Sequence, residues 1–533
     1  MLPGISAVSA ALRSDGRHSV SLGLSRLAVK RSATAATSAA EQEDWNNAKP
    51  YEEIPGPKPL PLVGNIWRFL PIIGEYSKME FEEQWKHFHK TFGNIMKLTL
   101  FSGKKEMVVL FNPDDVEKVF RNEGPSPSRE PSHTIKYYRT VTRKDLFQDM
   151  AGSISMSGEE WRTFRSKVNQ PMMQPRVTKL YVAPINSVAD DFLKRIKSLR
   201  NEKQEMPENF MNELHKWSLE SIVYIAMDKR LGCLEGELAP DSDPQKMIDA
   251  VRVIFDGIYK MEHKISLWQL ISTPTWREFV KAFDVFTEIS MKYINEALQR
   301  MKETSEDSEK ETTVLQRLLS QDSNPLYAVV MAQDMMVAGI ESTSYTTAET
   351  LYYLAKNQDK QEKLFQEIHR VLPDKTQPIT YDILNELKYL KACIKECMRI
   401  TPVAIGLHRK LPKDIVLSNY RVHKGVDAVI PLILLSNMEK YFPQADKYIP
   451  ERWLKNDEFA DKKMTHPFVY LPFGFGPRMC LGRRFADLEM ETVIAKIIRN
   501  FKIEYEYGDM KFESKLLYTP VSPLRFKMVD RTT

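Results

Sequence analysis

A cysteine stands near the end of the stretch Phe473-Gly474-Phe475-Gly476-Pro477-Arg478-Met479-Cys480-Leu481-Gly482, which is rich in glycine and proline. A helix-like run, Arg483 to Ile498, follows it directly. A thiolate donates electrons strongly to a metal, and a loop without bulky side chains lets a flat group lie against its backbone. The stretch therefore predicts a metal-ligating cysteine, Cys480, beside a planar cofactor. The alternative is a glycine-rich turn around an ordinary buried cysteine.

Other side chains of this loop narrow the choice of cofactor. Phe473 can pack beneath the loop, and Arg478 can reach an anionic group at the edge of a bound cofactor. Zinc would require three or four protein ligands, whereas a single cysteine with a nearby cation suits a haem and its propionates. Haem is therefore the favoured interpretation.

The loop has the form F-x-x-G-x-R-x-C-x-G and resembles the cysteine loop of the haem-thiolate monooxygenases, the cytochrome P-450 superfamily. The resemblance implies that haem b (iron protoporphyrin IX) is the cofactor and that Cys480 is its axial metal ligand. It also implies that Phe473, Gly474 and Arg478 contact the haem. The implied fold is mainly α with small β-sheets (α+β), a triangular helical haem-binding domain.

Composition and periodicity favour the same architecture. The chain has 533 residues and is 42 % hydrophobic, which is enough to bury a large core. Helical periodicity dominates from about 77 to 400, and short strand-like pieces lie at Ile95–Leu100 and Met107–Phe111. We therefore predict one large helical domain over 61–533. The net charge of +5 gives no support for nucleic-acid binding.

Residues 1–40 differ from the rest of the chain. They are rich in serine and alanine and carry five basic residues against one acid, Asp15. No apolar run approaches the roughly eighteen residues that span a bilayer. This composition is typical of a mitochondrial transit peptide, and a disordered basic tail is the alternative. The stretch 41–60 contains Pro55-Gly56-Pro57-Lys58-Pro59 and is predicted to be a stiff, proline-rich linker.

Two separate motifs precede the cysteine loop. Glu396 and Arg399 lie three positions apart on a predicted helix, where they can pair, and Arg452 follows in Pro450-Glu451-Arg452-Trp453. The resemblance makes Glu396, Arg399 and Arg452 the family's buried charge triad, which holds the segment before the cysteine loop. We predict a structural role for these residues, because loss of one would leave a buried charge unpaired.

Asp334 to Leu354 reads as a long helix that contains Ala338-Gly339-Ile340-Glu341-Ser342-Thr343. A glycine inside a helix costs about 1 kcal/mol relative to alanine, which suggests close approach to a neighbour. In the family this segment lies against the haem and relays protons into an apolar pocket from which water is excluded. Glu341, Ser342 and Thr343 are therefore the predicted catalytic residues, and Ala338 is predicted to contact the cofactor. Ser342 occupies a position that is usually threonine, and it keeps the hydroxyl without the methyl group that restricts the rotamer.

The resemblance also assigns several hydrogen-bond donors to the haem propionates. Trp161 and Arg165 form W-x-x-x-R on a predicted helix, and Arg409 lies in the turn after the E-x-x-R helix. Together with Arg478 they would place four donors around two carboxylates, which is chemically sensible.

A second basic group is predicted to bind a protein. Lys391 and Lys395 lie one turn apart on the helix of Glu396, and Arg483 and Arg484 follow the cysteine loop. Such a patch would steer a small acidic protein to the side of the haem where electrons must arrive. The runs L-K-A-C-I-K-E-C and C-L-G-R-R-F-A-D-L-E-M resemble the mitochondrial branch of the superfamily. That branch takes electrons from an adrenodoxin-type ferredoxin supplied by an NADPH-ferredoxin reductase.

The run Tyr137-Tyr138-Arg139-Thr140-Val141-Thr142-Arg143-Lys144-Asp145 resembles insect mitochondrial members most, among them enzymes that oxidise foreign compounds. The implied function is insertion of one atom of O2 into an apolar small molecule, xenobiotic or steroid-like, at the matrix side of the inner mitochondrial membrane. The apolar loop Ile265–Ile271, centred on Trp268, is predicted either to contact that membrane or to pack into the body. The predicted substrate pocket is formed by Thr134–Ile154, Val330–Thr343, Pro402–His408 and Leu516–Val521.

Three other functions remain open at this point. The first is an ecdysteroid or sterol hydroxylase of hormone metabolism. The second is a peroxide-using or isomerising haem-thiolate enzyme without a redox partner. The third is a haem-binding protein without turnover.

Overall fold

The computed structural model describes residues 42–101, 104–130, 132–264, 266–303, 313–455 and 466–532. The predicted transit peptide, 1–40, and Ile265 of the apolar loop lie outside the described residues.

Helices form most of the described chain, as the sequence predicts. They are α1 (42–47), α2 (Phe81–Phe92), α3 (Pro113–Arg121), α4 (His133–Tyr137), α5 (Lys144–Phe147), α6 (Gly158–Met173), α7 (Pro175–Leu180), α8 (Val182–Leu199), α9 (Phe210–Met227), α10 (Asp243–Glu262), α11 (Pro274–Glu303), α12 (Val314–Gln321), α13 (Leu326–Lys356), α14 (Gln358–Val371), α15 (Tyr381–Glu386), α16 (Lys388–Ile400), α17 (Leu432–Leu435) and α18 (Arg483–Asn500). A π-helical segment, Tyr138–Thr142, joins α4 to the turn before α5.

Four small sheets accompany the helices. Their strands are β1 (Ile95–Phe101), β2 (Lys104–Leu110), β3 (Leu407–Lys410), β4 (Ile415–Leu417), β5 (Tyr420–Val422), β6 (Asp427–Ile430), β7 (Phe501–Glu504), β8 (Phe512–Ser514), β9 (Tyr518–Pro520) and β10 (Lys527–Asp530). The largest sheet has the order β1-β2-β6-β3, in which β2 and β6 run parallel, and the others are antiparallel pairs. The two predicted strands are present as β1 and β2, so the mainly α prediction with small β-sheets is confirmed.

The centre of the molecule is α13, which packs against α9, α16 and α18. Its apolar residues surround the whole helix, and a helix of that kind is stable only when other elements cover every face. The predicted helix Asp334–Leu354 lies inside α13, and the predicted run after the cysteine loop is α18.

The segment before the proline-rich stretch is tied to the β4–β5 hairpin. Arg421 donates from Nε to the Trp45 carbonyl oxygen at 2.8 Å, and Lys49 donates its backbone N–H to the Asn419 carbonyl oxygen at 3.0 Å. The ring of Trp45 lies 5.6 Å from that of His423, and Tyr51 is buried. Residues 44–54, named here the N-terminal strap, therefore pack against the folded body.

Candidate active site

The cysteine loop is closed by its own backbone. Gly474 and Gly476 have φ angles of 70° and 75°, a left-handed conformation that side chains disfavour. The N–H of Cys480 donates to the carbonyl oxygen of Phe473 at 2.9 Å. A Cβ atom at Gly476 would lie 2.2 Å from Oε1 of Glu123, so this glycine also permits a close approach. The loop thus holds Cys480 at a fixed point, three residues before α18 begins at Arg483.

The side chain of Cys480 is accessible on one side and surrounded by protein on the others. Its side chain is exposed, yet the surrounding protein raises the pKa of the thiol through burial, while the N–H groups of Gly482 and Arg483 and the Arg165 guanidinium oppose that rise. A sulfur that is accessible but mostly surrounded by protein lies at the wall of an internal space. The N–H groups at the start of α18 point toward the sulfur and favour its anionic form.

One stripe of α13 borders open space. Between Ala328 and Tyr352 every residue of this helix is buried except Ala338, Gly339 and Ser342. Ala338 and Ser342 lie one turn apart on the same side of the helix and are named here the open stripe. Ser342 Oγ donates to the Ala338 carbonyl oxygen at 2.7 Å. Ala338 is exposed although it lies mid-way along the central helix, which identifies an internal cavity on this side of α13.

Gly339 and Thr343 lie on a different side of α13. A Cβ atom at Gly339 would lie 3.1 Å from Cγ1 of Ile222, so the glycine allows close approach of α9. Thr343 is buried one turn further along. The close approach that the sequence suggested is therefore made to α9, and of the three predicted catalytic residues Ser342 is the one on the open stripe.

Glu341 is buried, and burial raises the pKa of its carboxyl group to about 7. The Arg252 and Lys515 charges and a hydrogen bond with Tyr345 act in the opposite direction. Tyr345 follows one turn later on α13, and its ring lies 5.6 Å from that of His215. Glu341 therefore retains its proton close to neutral pH and can exchange it in that range, which suits a proton-transfer role.

This raised pKa leads to a stability prediction. The folded-state pKa lies above the ordinary value, so the contribution of Glu341 to stability is fully present below about pH 4.5 and is lost as the pH rises through 7. We expect Glu341→Gln to have a higher melting temperature than the wild-type chain at pH 8, by the equivalent of about 3 kcal/mol at most, and a similar one at pH 5. Thermal unfolding at the two pH values measures this. An equal difference at both would contradict the assignment.

Three of the four residues predicted at the propionates lie close together. The guanidinium carbon of Arg478 lies 4.4 Å from the centre of the Trp161 ring, and that of Arg165 lies 5.6 Å from the same ring. Arg165 donates to the carbonyl oxygen of Met479 at 2.9 Å, and Arg478 donates to that of Met156 at 2.6 Å. These contacts bring α6 against the cysteine loop.

The fourth residue, Arg409 on β3, is buried and forms an ion pair with Glu123. Burial lowers the pKa of Arg478 to about 8, and the positive charges of Arg129, Arg409 and Arg165 act in the same direction. Glu123 is the carboxylate that acts on the same group in the opposite direction. A Cβ atom at Gly476 in the cysteine loop would lie 2.2 Å from Oε1 of Glu123, so this ion pair places Arg409 beside the loop with the other three residues.

Sequence reasoning missed Arg129 and Glu123. Arg129 donates to the Ile154 carbonyl oxygen at 3.0 Å, and burial with the Arg409 charge lowers its pKa to about 10. No local pattern around either residue indicates this role, since both join the site through contacts distant in sequence.

Four guanidinium groups then face one carboxylate. A cofactor edge with two carboxylates would offset most of this excess positive charge, so the residues present fit a haem.

The predicted triad residues are in contact. Glu396 is fully buried and accepts from Arg399 Nη2 at 2.9 Å and from Arg452 Nε at 3.0 Å. The same carboxylate accepts from Trp453 Nε1 at 2.8 Å. Arg399 also donates to the Ala445 carbonyl oxygen at 2.8 Å, so the triad fastens the segment that leads to the cysteine loop.

The predicted partner-binding residues differ in their surroundings. Lys395 is exposed on α16, whereas Lys391 lies 3.7 Å from Glu491 and Arg483 lies 3.6 Å from Asp487. Arg484 is exposed and donates from Nε to the Met173 carbonyl oxygen at 2.9 Å. Acidic groups thus offset part of the positive charge, and this balance could not be read from the basic residues alone.

Within the described ranges, no three His, Cys, Asp or Glu side chains converge as a metal site would require.

Comparison with known proteins agrees with this geometry. The family model described as Cytochrome P450 matches residues 54–528. A Drosophila melanogaster protein, probable cytochrome P450 301a1, mitochondrial, is 41% identical over 91% of this chain and 88% of its own length. Probable cytochrome P450 12a5, mitochondrial, of the same species is 39% identical over 91% of this chain and 92% of its own. Cytochrome P450 CYP12A2 of Musca domestica is 37% identical, with 93% and 94% covered. The chain therefore belongs to the cytochrome P450 family and is a monooxygenase with a haem-thiolate cofactor.

Proposed function

We propose that this protein is a mitochondrial monooxygenase that inserts one atom of O2 into an apolar small molecule, with haem b ligated by Cys480. The observation that carries the proposal is the accessible Cys480 thiol beside a cluster of four guanidinium groups that share one carboxylate, Glu123. A bound haem with a thiolate ligand supplies the activation of O2.

The protein's own residues have distinct tasks in this proposal. Arg129, Arg165, Arg409 and Arg478, with Trp161, would hold the carboxylates of the haem, while Phe473 and Gly474 would shape the loop beside it. Ala338 would leave room for the cofactor because its side chain is a single methyl group. Glu341 holds a proton at its carboxyl group near neutral pH, and the Ser342 hydroxyl on the open stripe passes protons inward, with Thr343 behind it.

The electron donor is proposed to be an adrenodoxin-type ferredoxin, reduced by an NADPH-ferredoxin reductase. Two observations support this donor: several relatives carry the word mitochondrial in their names, and Lys395 is exposed on α16 with Arg483 and Arg484 close to the cysteine loop. An acidic ferredoxin would meet this surface by long-range attraction.

The experiment is turnover of the purified holoenzyme with ferredoxin, its reductase and NADPH, over a panel of apolar xenobiotics and ecdysteroids. We expect product formation that depends on ferredoxin and an increase of about fivefold in the KM for ferredoxin in Lys395→Gln, the equivalent of about 1 kcal/mol. Lys246→Gln, an exposed lysine on α10, is the matched control. Product formation from peroxide alone, at the same rate, would favour an enzyme without a redox partner.

The location is proposed to be the matrix side of the inner membrane, with residues 1–40 as the transit peptide. Within the described residues, no helix combines the length and apolar character needed to cross a bilayer. Attachment would be through exposed apolar side chains instead. Leu267, Leu270 and Ile271 are 56%, 81% and 60% exposed, whereas Trp268 is buried and stacks on Trp276 at 4.9 Å.

Trp268 thus packs into the body, which is one of the two alternatives that the sequence left open, and it anchors the loop. We expect the triple variant Leu267→Ser, Leu270→Ser, Ile271→Ser to lose most of its co-flotation with phosphatidylcholine–cardiolipin vesicles, because each apolar side chain contributes about 1.5–3 kcal/mol when buried. Val521→Ser, an exposed apolar residue elsewhere, is the control. Undiminished flotation of the triple variant would rule out this loop as the contact.

A further inference from the structure

The surface beside the cysteine loop is formed by one row of side chains on each of two packed helices, α16 and α18. On α16, Lys391 and Lys395 lie one turn apart. On α18, Arg483, Asp487 and Glu491 follow one another at the same spacing. The basic row of α16 therefore shares its surface with a row on α18 that contains two carboxylates.

Each of these carboxylates is paired with a basic residue of the same surface. Lys391 Nζ lies 3.7 Å from Glu491 Oε2, and Arg483 Nε lies 3.6 Å from Asp487 Oδ2. Pairs at this separation, close to water, hold their charges together only weakly. Lys391 is 32% exposed, so its ammonium group can also reach a carboxylate on another protein. The pair between Lys391 and Glu491 can therefore exchange partners.

Glu491 is the more enclosed of the two carboxylates. Its side chain is 15% exposed, whereas that of Asp487 is 36% exposed. Burial raises the pKa of Glu491 to about 8, and the negative charge of Asp487 acts in the same direction, while Lys391 and Lys395 act against it. Above pH 8 Glu491 is therefore mostly an anion beside Lys391, and below pH 8 it is mostly neutral.

An acidic protein that approaches this surface meets a different charge in each state. Ionised Glu491 offsets the charge of Lys391 and repels the negative groups of the partner. Protonated Glu491 does neither, so the full charges of Lys391 and Lys395 attract the partner. Because the partner binds the protonated state better, its binding also favours proton uptake by Glu491.

We propose that Glu491 competes with the acidic electron donor for Lys391, so that the donor binds more tightly when Glu491 carries a proton than when it is ionised. The inference rests on the proposed function, because it takes a ferredoxin as the donor and this surface as its docking site. Glu491 then sets the affinity for the donor from outside the haem site, and it weakens docking as the pH rises.

Isothermal titration calorimetry of the holoenzyme with an oxidised adrenodoxin-type ferredoxin measures this affinity at pH 6.5 and at pH 9. We expect Glu491→Gln to lower the Kd about fivefold at pH 9, the upper end of what a partly exposed ion pair contributes. At pH 6.5 its Kd should lie within about twofold of the wild-type value, because Glu491 is already neutral there. The gain at pH 9 should largely disappear when both chains also carry Lys391→Gln, since the competition then has no object.

Asp256→Asn is the matched control, because Asp256 pairs with Lys260 across one turn of α10 and is 38% exposed. Its Kd for ferredoxin should match the wild-type value at both pH values. If Glu491→Gln fails to fold, Lys391→Gln provides a second test. The wild-type Kd should then rise more between pH 6.5 and pH 9 than the Kd of Lys391→Gln does, and an equal rise would contradict the competition.

Three results would overturn this inference while Lys395→Gln still weakens ferredoxin binding. They are an unchanged Kd for Glu491→Gln at pH 9, an equal gain at both pH values, and a gain that persists in full without Lys391. Unchanged ferredoxin affinity in Lys395→Gln would instead refute the docking surface of the proposed function, and this inference with it.

Discussion

Replacement of Cys480 by histidine should abolish monooxygenase turnover while the protein retains haem. The carbon monoxide complex of the dithionite-reduced wild-type chain should show the strongly red-shifted Soret band of thiolate ligation, and in Cys480→His the band should lie at the position of histidine-ligated haem. The physical reason is the loss of the electron-donating sulfur, which the N–H groups of Gly482 and Arg483 stabilise as an anion.

The control is Cys233→Ala, which removes a buried thiol that is remote in sequence from the loop. Its spectrum and turnover should match those of the wild-type chain. A red-shifted band in Cys480→His, or its absence in the wild-type chain, would refute Cys480 as the axial ligand.

Replacement of Glu396 by glutamine should destabilise the fold by about 3–5 kcal/mol, because it leaves the buried Arg399 guanidinium and that of Arg452 without their shared carboxylate. The segment that these arginines fasten leads to the cysteine loop, so haem content should fall as well. Thermal unfolding and the haem-to-protein absorbance ratio measure the two effects.

Glu362→Gln serves as the matched control for this variant. Glu362 is 51% exposed and pairs with Arg531 at 3.0 Å, so its loss should change stability by about 1 kcal/mol or less. If the two variants were equally stable, the triad would not be an architectural element.

Features carried by local sequence were predictable. Three features depend only on residues close together in sequence. They are the glycines of the cysteine loop, the three-residue spacing of Glu396 and Arg399, and the segment Ala338–Thr343, in which polar residues interrupt the apolar helix α13. Their contacts in the structure follow from helix and loop geometry.

Features made by contacts distant in sequence were not predictable. Arg129 and Glu123 join the cationic site across long stretches of chain, and Tyr137 covers Trp268 with its ring centre 5.7 Å away. Gly339 suggested a close neighbour correctly, but the neighbour is Ile222 of α9, which the pattern within α13 cannot identify.

The N-terminal strap has a consequence for the order in which the chain can fold. Trp45 and its partner Arg421 are 376 residues apart in sequence, so the strap stays unpaired until the β4–β5 hairpin has been synthesised. The first part of the strap to be made is thus held by one of the later parts of the chain. Because Trp45 and Lys49 bind the hairpin, proteolytic shortening that leaves the fold intact has to stop upstream of Trp45.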